Sequence, residues 1–277
     1  MRLATVRTDH GTVAARIETG GTAVTVPGFA DVGALLAAPE WRTVAAQARG
    51  PEVDATDTGL APVIPRPGKI VCVGLNYATH IREMGRELPE FPTLFAKWAD
   101  ALAGPYDTVE VPDYAAAQLD WEGELALVIG TPAYRVPESS AGAHIAGYAV
   151  IDDYTMRDYQ YRTTQWDQGK NLQSSSGFGP WLDTDFTPGG RIETRLDGEL
   201  MQSASTSDLV FAPEHLVAYI SSIVRLNPGD VVITGTTGGV GHAREPARYI
   251  ADGQTVEVSI EGLGSVRNPT RVVPSGA

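Results

Sequence analysis

Cysteine occurs once in these 277 residues, so no disulfide can form within the chain and nothing points to an oxidising compartment. Long apolar runs are missing as well. No stretch approaches the roughly 20 residues that span a bilayer, and the opening MRLATVRTDHGTV lacks the apolar centre of a signal peptide. These absences give the expectation of a soluble, cytoplasmic protein with no membrane partner. Positive charge is in short supply: 21 Lys and Arg face 34 Asp and Glu, a net charge of -13. Such a chain has no global field to attract a phosphate backbone, which excludes nucleic acid as the expected partner. Lysine is scarcest, with Lys69, Lys97 and Lys170 standing against 18 arginines, so each lysine merits individual attention.

Several catalytic signatures are also absent. The chain has no His-Glu-x-x-His, no Gly-x-Ser-x-Gly and no cysteine pair for zinc. The glycine-rich stretch TGTTGGVGH lacks the Gly-Lys-Ser/Thr ending of a phosphate-binding loop, and Arg244 stands where a dinucleotide fingerprint needs its third glycine. What remains is a loop that lets backbone amides approach a ligand closely.

A hydrophobic fraction of 43%, with 30 Gly and 19 Pro, describes a globular, loop-rich chain. The stretch RLATVRTDHGTVAARIETGGTAVTV alternates apolar and polar residues around glycine turns as hairpins do. The segment DVGALLAAPEWRTVAAQA follows with a helical pattern and Asp31 as N-cap. Pro62, Pro65 and Pro67 then crowd APVIPRPGK, which resists helix and central strand and marks a linker. The expected organisation is a small N-terminal α/β module over 1–66 and a larger body over 67–277. In that body KIVCVGL, LDWEGELALVIG, AGYAVIDDY, RIETRLDGEL, DVVITGT and QTVEVSIEGLGSV read as strands. The clearest helix is PEHLVAYISSIVRL, with an apolar stripe at Leu216, Tyr219, Ile220 and Ile223. Many strands with few crossovers predict a mainly β (α+β) fold rather than a doubly wound sheet.

The most informative stretch is LDWEGELALVIG. Side chains two apart on a strand point the same way, so Glu122 and Glu124 share a face with Ala126 and Val128, and Trp121, Leu125 and Leu127 take the other. Two adjacent carboxylates on an inward, apolar face repel each other unless a cation lies between them. AVIDDY supplies a third carboxylate, Asp152 or Asp153, and the residues alone do not choose between these two. Three oxygen donors suit a hard ion such as Mg²⁺ or Mn²⁺, with Ca²⁺ also compatible, and leave positions for water and substrate. NYATHIREMGRE reads as a short helix capped by Asn76 and Gly85, on which His80 and Glu83 share a face and make a competent general base. The other four histidines read as surface or turn residues. Arg157, Arg162 and Lys170 bring local positive charge to the region following Asp153, where an acidic substrate would need it. Cys72, inside KIVCVGL, reads as a core residue.

Together these segments resemble the fumarylacetoacetate hydrolase family, in particular its short acylpyruvase-like members. The likeness is carried in order by KIVCVGLNYATHIREM, LDWEGELALVIG, IDDYTMRD, GKNLQSSSGFGPW, NPGDVVITGTTGGVG and VEVSIEGLGSVRN. It implies a mixed β-sandwich roll assembled as a homodimer. It implies that Glu122, Glu124 and Asp153 are the metal ligands, and that His80 and Glu83 activate water from a helix that closes over the substrate. By the same resemblance Lys170 is catalytic, Arg157 and Gln160 line the substrate site, and Thr236 with its neighbouring amides holds a substrate carboxylate. The chain departs from the family pattern at Gln173 and Gly177, where Asp and Pro are usual, and at Thr237, where Pro is common.

The activity this implies is metal-dependent hydrolysis of a carbon–carbon bond in a 1,3-dicarbonyl acid of the acylpyruvate or fumarylacetoacetate type, with a small anionic keto acid as partner. The same enolate-stabilising site would also serve a decarboxylase of oxaloacetate-like acids or an isomerase of unsaturated keto-diacids. A more remote alternative is a non-catalytic metabolite-binding protein, against which the His80 and Glu83 pair argues.

Overall fold

The computed structural model describes residues 1–18, 20–55, 59–83, 85 and 87–276, excepting the side chains of Asp54, His80 and Glu83. The chain opens with strands β1 (Arg2–Thr8), β2 (Gly11–Ile17) and β3 (Thr22–Thr25), then helices α1 (Val32–Leu36) and α2 (Trp41–Gln47), then β4 (Glu52–Asp54). The predicted cap is in place, since Ala34 N–H donates to Asp31 Oδ1 at 2.7 Å. The single helical pattern becomes two short helices, because Pro39 interrupts it. The proline-rich segment has neither helix nor strand, yet Val63 and Ile64 are buried and Val63 N–H donates to Phe178 O.

Next come β5 (Ile70–Gly74), α3 (Ala78–Glu83), β6 (Thr93–Lys97), β7 (Leu102–Ala103), β8 (Val109–Pro112) and β9 (Leu119–Asp120). They are followed by β10 (Gly123–Ile129), α4 (Glu138–Ala141), β11 (Ile145–Asp152), β12 (Thr155–Met156), α5 (Arg157–Gln160), α6 (Asp167–Lys170) and β13 (Ser176–Asp183). The last elements are β14 (Arg191–Leu196), β15 (Glu199–Ser205), α7 (Pro213–Ile223), β16 (Val231–Thr236), β17 (Thr255–Ile260) and β18 (Gly264–Val273).

The larger sheet runs β4-β3-β2-β1-β13-β11-β10-β16-β5-β6, with β7 attached to β13, and the smaller runs β15-β14-β17-β18-β8. This is the expected mainly β fold with mixed sheets. The alternation read from LDWEGELALVIG decides how the sheets stack. Leu125, Leu127 and Ile129 pack with Leu196, Val256 and Val258 of the smaller sheet, whereas Ala126 and Val128 pack with Ile151, Ile233, Leu35 and Trp41 on the opposite side. β10 is therefore buried on both faces along its whole length. On α7 the buried stripe is Leu216, Val217 and Ile220; Ile223, predicted to be part of it, is 64% exposed because the helix ends there.

Candidate active site

The strand expected over 119–130 divides into β9 (Leu119–Asp120) and β10 (Gly123–Ile129), so Glu122 precedes β10 and Glu124 lies on it, between Ile151 of β11 and Thr236 of β16. A register shift between Glu124 and Ala126 against β16 marks a bulge, a device that re-aims groups beside a site. Its key residue is Gly235. At φ +101 it adopts a left-handed conformation, and a Cβ there would lie 2.9 Å from Val73 O. Only glycine suits both conditions, and the result is that Gly235 N–H donates to Glu124 Oε2 at 2.5 Å.

β11 ends at Asp152, and the next residue turns its side chain toward the two glutamates. Ligand oxygens of Glu122, Glu124 and Asp153 all lie within 4.8 Å of one another, and all three residues are buried. The choice left open between Asp152 and Asp153 is thus resolved by position. Asp152 supports the cluster from outside, accepting Glu122 N–H at 2.9 Å, while Asp153 N–H donates to Glu122 O at 2.9 Å.

Three cations surround the carboxylates. Lys170, at the end of α6, donates from Nζ to Glu122 Oε2 at 2.7 Å and to Asp153 Oδ2 at 2.9 Å. Arg157, opening α5, places Nη1 2.7 Å from Glu122 Oε1 and donates to Gln160 Oε1 at 2.9 Å. Lys97, closing β6, is wholly buried, with Nζ 2.9 Å from Asp153 Oδ1 and donating to the Lys170 carbonyl. Burial disfavours the Lys170 ammonium, but Asp153 and Glu122 more than offset it and raise its pKa. Burial likewise opposes ionisation of Asp153, yet Lys170 and Lys97 hold its carboxyl below the usual range. Among the described residues Glu124 pairs with no cation, and burial, then repulsion from Asp153 and Glu122, pushes its carboxyl well up. Burial also lifts Asp152, to about 8.

This pattern fits a divalent cation. Among the described groups of the cluster, five carboxyl groups, those of Glu122, Glu124, Asp153, Asp152 and Asp120, face only three cationic side chains, Lys97, Lys170 and Arg157. Glu124, which forms no ion pair within 4.0 Å among the described residues, is one of the three that converge. Oxygen donors alone suit a hard ion, and Asp153 Oδ1, although close to Lys97, lacks a well-directed hydrogen bond.

The structure brings Glu122, Glu124, Asp153, Lys170, Arg157 and Gln160 together. Arg157 Nη2 is buried and has no hydrogen-bond partner among the described residues, a donor available to an anion. Thr236 lies beside the cluster, but its hydroxyl donates to Gly123 O and accepts from Gln202 Nε2, so only its backbone is left for a ligand. His80 and Glu83 lie on α3, and their side chains are outside the described residues.

Asn76 does not cap α3. Its buried side chain accepts from Phe211 N–H at 2.8 Å and donates to Thr234 O at 2.8 Å and Phe211 O at 3.1 Å. His215, read as a surface residue, lies on α7 with Nδ1 2.9 Å from Glu138 Oε2, a carboxylate far off in sequence.

Two important residues escaped the sequence reading. Lys97 carried a signal, as one of only three lysines, but nothing local tied it to Asp153. Asp120, two residues before Glu122, is fully buried and accepts from Trp121 N–H, Gly241 N–H, His242 N–H and Arg157 Nε at 2.7–3.0 Å. It joins the metal strand, the glycine-rich loop and α5, a convergence that only the folded chain creates.

Residues 69–272 match the family model described as fumarylacetoacetate (FAA) hydrolase C-terminal. The chain is 42% identical over 217 residues to the mitochondrial oxaloacetate tautomerase FAHD2B of Bos taurus, covering 76% of this chain and 68% of that one. The structure of a fumarylacetoacetate hydrolase from Exiguobacterium antarcticum superposes with a TM-score of 0.87 at 32% identity, over 99% of this chain and 100% of the other. A 5-carboxymethyl-2-hydroxymuconate delta-isomerase from Mycobacterium smegmatis gives a TM-score of 0.84 at 31% identity, with the same coverage.

Proposed function

Because the chain belongs to the fumarylacetoacetate hydrolase family, we propose that it is a divalent-cation-dependent enzyme of keto–enol chemistry on small 2-oxo acids, with an oxaloacetate-like acid as the foremost substrate. The observation that carries this reading is the buried Lys170 ammonium, 2.7 and 2.9 Å from two of the three converging carboxylates. The tautomerase relatives at about 40% identity favour tautomerisation over the other outcomes of the same chemistry.

Glu122, Glu124 and Asp153 would hold Mg²⁺ or Mn²⁺, which when bound polarises the oxygens of a chelated 2-oxo acid. Lys170, held protonated by its carboxylates, supports negative charge developing on the substrate's enol oxygen. Arg157, fixed through Nε by Asp120, presents its free Nη2 to a carboxylate. Gln160 steadies the same guanidinium, and the backbone at Thr236 contacts the opposite end of the substrate. On α3, an imidazole nitrogen of His80, oriented by Glu83, moves the proton at the substrate carbon.

A second reading is hydrolysis of a carbon–carbon bond, and the His80 and Glu83 spacing favours it. There His80 takes a proton from water as its oxygen bonds to the distal carbonyl carbon; collapse of the adduct breaks the neighbouring carbon–carbon bond, the electron pair leaves as an enolate, and the proton held by His80 returns to that carbon. In either reading a homodimer in the cytoplasm is expected, with residues 1–66 a small module whose strands join the larger sheet of the body 67–277 through β1 and β13.

The test is a panel of oxaloacetate, acylpyruvates and unsaturated keto-diacids, followed by ultraviolet absorbance and mass spectrometry with Mg²⁺ or Mn²⁺. Tautomerisation changes the spectrum without changing mass, hydrolysis adds water, and decarboxylation releases CO₂. Full activity after exhaustive chelation, or in Lys170→Met, would falsify the proposal.

A further inference from the structure

The side chain of Asn76, the cap expected for helix α3, is committed to Phe211 and Thr234 instead. The first amides of a helix have no partner within it, and a helix of six residues is not stable by itself in water. Its amides are satisfied by a residue 130 positions away. Ala78 N–H donates to the Asp208 carbonyl at 3.0 Å, and Thr79 N–H donates to Asp208 Oδ2 at 3.0 Å.

Asp208 is itself held on both sides. Its N–H donates to Ser205 O at 3.0 Å, Val210 N–H donates to Asn76 O at 2.8 Å, and Leu209 pairs with Tyr77. Asn76 Nδ2 continues the linkage to Thr234 O, the residue before the Gly235 that bonds Glu124. Asp208, Tyr77, Thr79 and Thr237 also wall one cavity of about 240 Å³, so this junction faces open space next to the glycine-rich loop.

We propose that Asp208 is a positioning residue, a sequence-distant N-cap that sets where α3 starts relative to β16 and so fixes the backbone that carries His80 and Glu83. The inference rests on the reading that this pair moves protons for the enzyme. Asp208 touches no reacting atom; it acts through the helix.

The experiment compares wild type, Asp208→Ala and Asp208→Asn as full-length proteins with saturating Mg²⁺. It measures amide hydrogen exchange over residues 77–83, kcat and KM on oxaloacetate, and Mg²⁺ affinity. Loss of an N-cap should speed exchange in that segment of Asp208→Ala about fivefold and lower kcat by a similar factor, while KM and Mg²⁺ affinity stay within about twofold. Asparagine also caps helices well, so Asp208→Asn should recover at least half of wild-type kcat. Unchanged exchange over 77–83 in Asp208→Ala overturns the cap, and Asp208→Asn as impaired as Asp208→Ala overturns it as well. A parallel loss of Mg²⁺ affinity shows general damage and also rejects it. If wild type turns over no 2-oxo acid, the functional reading fails and the catalytic half of this proposal with it, while the exchange data still decide whether Asp208 caps α3.

Discussion

Replacing Lys97 with methionine tests the electrostatic design of the site most directly. Lys97 is wholly buried, sits 2.9 Å from Asp153 Oδ1 and donates to the Lys170 carbonyl. At that distance two unit charges attract by about 6 kcal/mol with an effective dielectric constant near 20. Burying each ion costs several kcal/mol, so the intact pair is close to neutral for stability. Removing one partner alone is different, since it leaves the other's desolvation cost uncompensated, by about 3–5 kcal/mol. Methionine is close to lysine's stem in volume, so the packing contribution is small. Asp153 also keeps Lys170, which places the expected loss at the lower end, about 3 kcal/mol in chelator-treated protein. For a chain of this size that corresponds to a Tm lower by about 6–12 °C. The variant's cluster then carries one more uncompensated negative charge, so Mg²⁺ or Mn²⁺ should raise its Tm more than it raises that of wild type. Scanning calorimetry with EDTA and with saturating metal reads both effects. An unchanged Tm in EDTA, or a metal-induced rise no larger than that of wild type, refutes the reasoning.

Three other outcomes follow from the same geometry. Glu124→Gln removes a carboxylate whose ionisation burial and its neighbours oppose, so the metal-free protein should keep its stability while Mg²⁺ affinity falls by at least about tenfold, as read by isothermal titration. Asp152→Asn keeps an acceptor for Glu122 N–H but cannot ionise. Its native carboxyl, raised from 3.8 to about 8, penalises folding increasingly as pH rises between those values. In chelator the variant should therefore gain on wild type from pH 4 to 8 and level off above, and urea midpoints across that range check it. Gly235→Ala meets both an unfavourable φ of +101 and the Val73 carbonyl at 2.9 Å, so thermal unfolding should show a loss of about 2 kcal/mol or more, with weakened metal binding.

The alternation in LDWEGELALVIG made the orientation of β10 legible, because a strand has a period of two and both sets of residues had a core to join. The same spacing exposed Glu122 and Glu124 as a pair. Asp31 could be read as a cap because a cap and its amide lie three residues apart. Asn76 could not be assigned correctly, since a residue that resembles a local cap was recruited by Thr234 and Phe211, more than 130 positions away. The helical stripe on α7 erred at Ile223, because periodicity does not tell where a helix leaves the core.

The sequence by itself determined the class of fold, the carboxylates available for a hard cation and the family motifs that carry them, since each is a matter of residue type and short spacing. Only the tertiary structure decided that Asp153 joins the glutamates while Asp152 supports Glu122 from behind. It also decided that Lys97 lies against Asp153, that Asp120 ties Arg157 to the glycine-rich loop, and that Asp208 caps α3. The physical reason is common to all of these: charge neutralisation and hydrogen-bond satisfaction in a buried site act over a few ångströms of space, whatever the distance along the chain.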